Sequence, residues 1–118
     1  MEREILFKAK RVDNGEWIKG SLQLPNTEME KTRIVSWNAV RYEVHPETVC
    51  QFTGLLDKNG NKIFENDIVY HGENPLNKVV VVWNKRTCGF VLNRPNYKNK
   101  FTRISGLGKL KIIGNIHD

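Results

Sequence analysis

The sequence predicts a mainly β protein: a small barrel or sandwich of short antiparallel strands, with SH3-like character in the C-terminal half. Two observations favour this class. Several short stretches are rich in alternating or β-branched apolar residues, and Gly, Asn and Pro mark turns between them. No stretch carries a sustained helical period, so we expect at most one short helical turn.

The first half of the chain is predicted to open with a β-hairpin. Ile5, Phe7 and Ala9 fall on one face of a strand, and Lys8 and Lys10 fall on the other. The turn residues Asp13-Asn14-Gly15 follow, because Asn and Gly tolerate the positive φ of tight turns. The next elements are a returning strand at 16–22, a polar loop at 25–32, short strands at 34–37 and 40–44, and the helical turn at 45–49, where Pro46 suits the first helical position.

The second half carries the strongest hairpin signal, Asn59-Gly60 between apolar positions. Residues 79–83 are an unbroken β-branched run ending in Trp83, and such runs are typical of a strand covered on both faces. We therefore expect Trp83 and Phe90 in the core. Further strands are predicted to begin at residue 68 and to occupy residues 90–92 and 109–113.

Length and composition predict one domain, residues 1–118, with a division into sub-lobes 1–52 and 53–118 as the alternative. The longest apolar run is far shorter than the roughly 20 residues of a membrane-spanning helix. The apolar stretch at 5–7 is too short for a signal-peptide core, so we expect the protein to stay in the cytoplasm. Cys50 and Cys88 should remain thiols there, Cys50 buried and Cys88 beside a turn.

Positive charge is concentrated in the C-terminal part. The net charge is +6, yet residues 1–73 hold 10 basic and 12 acidic side chains, and residues 74–118 hold nine basic ones against Asp118. This asymmetry favours a polyanionic partner, either nucleic acid or an acidic protein surface. Cations interleaved with aromatic rings are typical of single-strand binders, and the alternative is a solvated basic face whose aromatics are core. The candidate polyanion-binding residues are Lys85, Arg86, Arg94, Tyr97, Lys98, Lys100, Phe101 and Arg103.

No residue pattern in the sequence supports a catalytic or a metal-binding site. The stretch from Asp57 to Asn61 has the composition of a calcium loop but not its spacing, so a hairpin turn is the better interpretation. Glu65 and Asp67 could share one side of a strand, as paired catalytic acids do, but a turn held by Asp67 is favoured. We expect no catalytic residue, metal or cofactor.

Three segments resemble the signature of the YopX family: PETVCQFTGL at 46–55, DKNG at 57–60 and IFENDIV at 63–69. The resemblance extends to ILFKA at 5–9 and IGNIH at 113–117. One departure is Asn66, where the family usually carries Gly, and both residues can adopt a left-handed turn conformation. The resemblance implies a β-rich protein of a bacteriophage or prophage, located in the cytoplasm of the bacterial host. The biochemical function of that family is not established, and no catalytic residues come with it.

These observations lead to two functional hypotheses. The first is a non-enzymatic binding or assembly module whose basic C-terminal half contacts nucleic acid or an acidic protein, with self-association through strand edges as a further expectation. The second is an enzyme or enzyme subunit acting on a nucleotide or nucleic acid. The residues available to such an enzyme for catalysis would be Glu65, Asp67 and a lysine.

Overall fold

The computed structural model of the chain describes residues 4–71, 78–86, 88–93, 101–103 and 110–118. These residues contain strands and one turn of 3-10 helix, Pro46–Thr48, so the predicted mainly β class is confirmed. The described residues include no helix long and apolar enough to cross a membrane. The strands are β1 (Phe7–Lys10), β2 (Trp17–Gln23), β3 (Arg33–Val35), β4 (Arg41–Glu43), β5 (Cys50–Leu56), β6 (Lys62–Phe64), β7 (Asp67–His71), β8 (Lys78–Asn84), β9 (Gly89–Asn93), β10 (Phe101–Arg103) and β11 (Leu110–Asn115).

The strands form two antiparallel sheets rather than a closed barrel. One sheet has six strands in the order β4-β3-β2-β1-β5-β6, and the other has five in the order β10-β9-β8-β7-β11. By its internal contacts the chain divides into two compact units, Met1–Phe52 and Thr53–Asp118. We call them unit 1 and unit 2. The boundary between them in the chain falls inside β5.

Unit 1 is built on the predicted hairpin of β1 and β2. Its buried cluster consists of Ala9, Ile34 and Val44, with further apolar side chains of β1 and β2 packed against it. Ala9 lies opposite Ile18, so this side of the hairpin faces the cluster and the lysines of β1 face away from it. The predicted alternation is thereby confirmed from Phe7 to Lys10. Ile5 is expected on the same buried face, but it precedes β1 and is 70% exposed, so that part of the prediction is wrong.

Gly20 lies at a close approach between β2 and β3. A Cβ atom at this position would overlap the carbonyl oxygen of Val35 and would stand 2.8 Å from its carbonyl carbon. Both contacts are far inside van der Waals distance, and both atoms belong to the backbone. Only glycine therefore fits between these strands in their present arrangement.

The core of unit 2 is a cluster on one side of the five-stranded sheet. Its buried members are Ile63, Val69, Val79, Val81, Leu92 and Leu110. Trp83 is expected in this core, but 47% of its surface is exposed, and that expectation is wrong. The indole lies near the end of β8, where one edge-on contact with the Phe90 ring, 5.1 Å between centroids, covers it only in part. Phe90 does pack against the cluster.

Turn geometry follows the sequence signals closely. Gly15 and Gly60 have φ values of +71° and +83°, as tight hairpin turns require. Asn66 has a φ of +68°, which confirms the left-handed conformation expected where the YopX signature usually has Gly. Cys50 is buried and Cys88 is exposed beside the β8–β9 turn, and both are free thiols as predicted.

Candidate functional site

The predicted polyanion-binding residues of the C-terminal part are distributed along β9 and its neighbours. Lys85 and Arg86 form the turn between β8 and β9, where the Arg86 backbone N–H donates a 2.8 Å hydrogen bond to the Asn84 side chain. Phe101 and Arg103 lie on β10. The remaining candidates, Arg94, Tyr97, Lys98 and Lys100, lie outside the described residues.

The register of the strands shows that the described candidates lie far apart. The β8–β9 turn precedes Gly89, the first residue of β9, whereas Phe101 pairs with Asn93 at the last residue of that strand. Four residue steps along a strand span about 13 Å. The backbone positions of Lys85 and Phe101 therefore lie near opposite ends of β9, and closeness in sequence does not make them one cluster.

Other cations of unit 2 surround Tyr70 on β7. Lys78 and Lys111 lie directly opposite Tyr70 on the two neighbouring strands. The ammonium groups of Lys58 and Lys111 stand 5.8 Å and 6.0 Å from the centre of the tyrosine ring. Such distances allow cation–π attraction, which holds basic side chains against an aromatic surface. Unit 2 thus has a basic cluster that is not among the residues predicted from the sequence.

Unit 1 carries a more extensive set of cations on the side of its sheet that faces away from the core. Paired residues of antiparallel strands point to the same side, and Lys8 pairs with Lys19 while Lys10 pairs with Trp17. The ammonium groups of Lys8 and Lys10 lie 4.6 Å and 5.6 Å from the centre of the Trp17 ring. Two lysines are therefore grouped around one indole on the outer side of β1 and β2.

The same side of the sheet continues across β3 and β4. Val35 pairs with Ser21 on one side and with Arg41 on the other, and the next row pairs Arg33 with Glu43. Arg41 is exposed and Arg33 is half-buried. We call the cations and indole of these four strands the basic face: Lys8, Lys10, Trp17, Lys19, Arg33 and Arg41.

The basic face has a clear excess of positive charge. Among the described residues in its rows, Glu43 is the acidic one, set against the lysines and arginines of four strands. Glu4 and Glu16 lie just outside it, before β1 and β2. A sheet surface with cations on several strands can contact more than one phosphate of a polyanion.

The basic face cannot be predicted from the distribution of charge along the chain. Residues 1–73 have more acidic than basic side chains, so the net charge of this part is negative. Strand alternation and antiparallel pairing then sort the lysines and arginines onto one side, while most acids stay in loops and turns. The alternation of Lys8 and Lys10 is the one local signal for this surface.

Of the two acids considered as catalytic partners, Asp67 is buried and hydrogen bonded within a turn. Asp67 is 1% exposed, and its carboxylate accepts a 2.7 Å hydrogen bond from the Phe64 N–H and a 2.9 Å bond from the Asn115 side chain. Asn115 also donates to the Glu65 carbonyl oxygen. Asp67 therefore joins the start of β7 to the end of β11, as the interpretation of a carboxylate holding a turn predicts. Within the described residues, no three His, Cys, Asp or Glu side chains gather as metal ligands would.

Asp57 organises the hairpin turn between β5 and β6. One carboxylate oxygen accepts hydrogen bonds from the backbone N–H groups of Asn59 and Asn61, at 2.9 Å and 2.8 Å. The other accepts a longer bond, 3.3 Å, from the Ile112 N–H on β11. Burial raises the pKa of the Asp57 carboxyl, but the hydrogen bonds from these three residues outweigh it and hold the pKa below its ordinary value.

This pKa predicts a pH dependence of stability. A carboxyl whose pKa is lower in the folded state stabilises the protein above its unfolded pKa, about 3.9, and this contribution is lost as the pH falls through the folded pKa. At neutral pH, Asp57→Asn should lower the free energy of unfolding by about 2 kcal/mol, because backbone donors lose a charged acceptor. Urea unfolding between pH 7 and pH 2.5 should show the variant and the parent converging at acid pH. A constant difference across that range would contradict the assignment.

The fold and these surfaces define a mainly β protein of two antiparallel sheets, with basic, aromatic-bearing faces and with its buried aspartates engaged in turns. Residues 4–118 match the family model described as YopX protein. The chain therefore belongs to the YopX family. A search of curated proteins gave no match.

Proposed function

We propose that the protein is a non-enzymatic accessory protein of a bacteriophage or prophage that binds nucleic acid through the basic face of unit 1. Membership of the YopX family supports the phage origin. The observation that carries the binding proposal is that four adjacent strands place cations on one side of the sheet, with Lys8 and Lys10 around the Trp17 indole. Nucleic acid fits this surface because its charges repeat along an extended backbone.

Unit 2 contributes a second contact region in this proposal. The cluster of Lys58, Lys78 and Lys111 around Tyr70 has the same combination of cations and an aromatic ring. The roles of Asp57 and Asp67 in turns support a non-enzymatic function, since both carboxylates are already engaged by backbone donors. Binding and not turnover is therefore the activity to measure.

Charge reversal on the basic face should weaken nucleic-acid binding. Lys19 and Arg41 are exposed and lie on the same side of the sheet, so Lys19→Glu with Arg41→Glu changes the surface with little expected loss of stability. Each lost phosphate contact should reduce the salt slope by about one, and the pair should lower affinity about tenfold or more at low salt. Fluorescence anisotropy of labelled DNA and RNA, titrated at several salt concentrations, measures both quantities.

A matched variant distinguishes binding at the basic face from attraction due to net charge alone. Lys85→Glu with Arg86→Glu makes the same change of net charge at the exposed β8–β9 turn of unit 2. We expect this variant to lose less affinity than the one in unit 1. Equal losses would mean that only net charge matters, and unchanged binding by the unit 1 variant would refute the basic face as a nucleic-acid site.

A further inference from the structure

The loop between β3 and β4 is a tight and well-bonded hairpin turn. The Ser36 N–H donates to the Val40 carbonyl oxygen at 2.8 Å, and the Ala39 N–H donates to the Ser36 carbonyl oxygen at 2.9 Å. The Ser36 hydroxyl is hydrogen bonded to the Asn38 side chain and lies 3.2 Å from the Val40 carbonyl oxygen. Ala39 has a φ of +66°, the left-handed conformation found at the end of a three-residue hairpin loop.

This loop holds Trp37 in solvent. The residue is 96% exposed, although the sequence places it at the end of a predicted strand. The strand ends at Val35, and the loop of Trp37, Asn38 and Ala39 carries the indole beyond the sheet. A large aromatic side chain in this position adds nothing to the core, and its exposed faces are available for stacking.

The charge of the same hairpin indicates what kind of partner suits the indole. Arg33 and Arg41, on the two strands that carry the loop, belong to the basic face. Trp37 thus stands at the end of two strands whose outer sides hold cations. Single-strand binders combine these two elements, cations for phosphates and an aromatic ring for a base.

We infer that Trp37 stacks on an unpaired base of single-stranded nucleic acid whose phosphates contact the basic face. This inference rests on the proposed function and deepens it, because it specifies the strand state of the ligand. Bases within a duplex are already stacked on each other, so their faces are closed to a ring on a protein loop. In a single strand a base can leave its neighbours and lie on the indole, and the rigid loop limits the entropy lost on binding.

The test compares oligonucleotides with and without bases. Trp37→Ala should lower affinity for single-stranded oligo(dT) about tenfold, a typical loss for one stacked base, and Trp37→Phe should recover part of it. Affinity for an abasic oligomer of equal length, for duplex DNA and for inorganic polyphosphate should stay unchanged. Met29→Ala, which removes another apolar side chain of unit 1 that is 89% exposed, should leave all four affinities unchanged.

The outcomes distinguish failure of the stacking inference from failure of the proposed function. Unchanged oligo(dT) binding by Trp37→Ala would overturn the stacking inference and leave the basic face intact as a site, provided that Lys19→Glu with Arg41→Glu still weakens binding. Equal losses for oligo(dT) and the abasic oligomer would also overturn it, since the effect would not depend on bases. Absence of binding by the parent protein at low salt would remove both proposals. Thermal unfolding of the variants should match the parent, because Trp37 contributes no buried surface.

Discussion

Replacing Gly20 with alanine should destabilise the protein by about 3 kcal/mol or more, a large share of the stability of a typical small domain. The added Cβ would overlap the Val35 carbonyl oxygen, and relief requires β2 and β3 to move apart. Such a movement would break hydrogen bonds of the Ser21–Val35 pair and disturb the packing of Ile34. Urea unfolding followed by circular dichroism and by tryptophan fluorescence measures the loss.

Gly15→Ala is the matched control for this substitution. Gly15 has a φ of +71°, but nothing lies within 4 Å of the point where an alanine methyl group would stand, so the substitution causes conformational strain without a collision. The expected loss is about 1 kcal/mol, the usual penalty of an L-residue in the left-handed region. If both variants lost the same free energy, the close approach of β2 and β3 would be absent in solution.

The second large effect is expected for Asp67→Ala in unit 2. The substitution removes a buried carboxylate that accepts hydrogen bonds from the Phe64 N–H and the Asn115 side chain. Both donors would be left without this charged acceptor in a site that is closed to water. We expect a loss of about 3–5 kcal/mol, because hydrogen bonds to charged groups and the desolvation of unpaired donors both contribute. Chemical denaturation at neutral pH gives the value.

Asp13→Ala provides the comparison at an exposed position. Asp13 forms an ion pair with Arg11 on the surface, and solvent screens such pairs strongly. Its removal should change stability far less than the removal of Asp67. A small effect of Asp67→Ala would contradict a structural role for this carboxylate and would reopen the hypothesis that it serves an enzymatic reaction.

The turns and strands can be predicted from the sequence because each depends on a few neighbouring residues. The alternation of Phe7 and Ala9 with lysines and the turn residues Gly15 and Gly60 each act over a few positions. The left-handed conformation of Asn66 is expected instead from the resemblance, because the YopX signature usually has Gly at this position. Local signals do not show how much of a strand is covered by other parts of the protein. They therefore place Trp83 in the core, whereas the end of β8 is only partly covered and this side chain is exposed.

The candidate site depends on pairings between distant segments, and these are not accessible from the sequence. Lys10 and Arg41 are far apart in the chain, yet the order of β1 to β4 puts them on one side of one sheet. That arrangement requires the strand order and the register together, and composition gives neither. The net charge of residues 1–73 does not reveal the basic face, because the acidic residues of this part lie mostly in loops.

The position of β11 also affects how the protein folds during synthesis. Strands β1 to β4 of unit 1 end at Glu43, so these four strands can pair early in synthesis. Unit 2 depends on β11, which pairs with β7 and supplies Leu110 to the core and Asn115 to the Asp67 network. A nascent chain that has not yet released β11 from the ribosome therefore exposes an unpaired edge of β7 beside an incomplete apolar core. During translation, unit 2 therefore passes through a state with an open strand edge, and such edges favour aggregation.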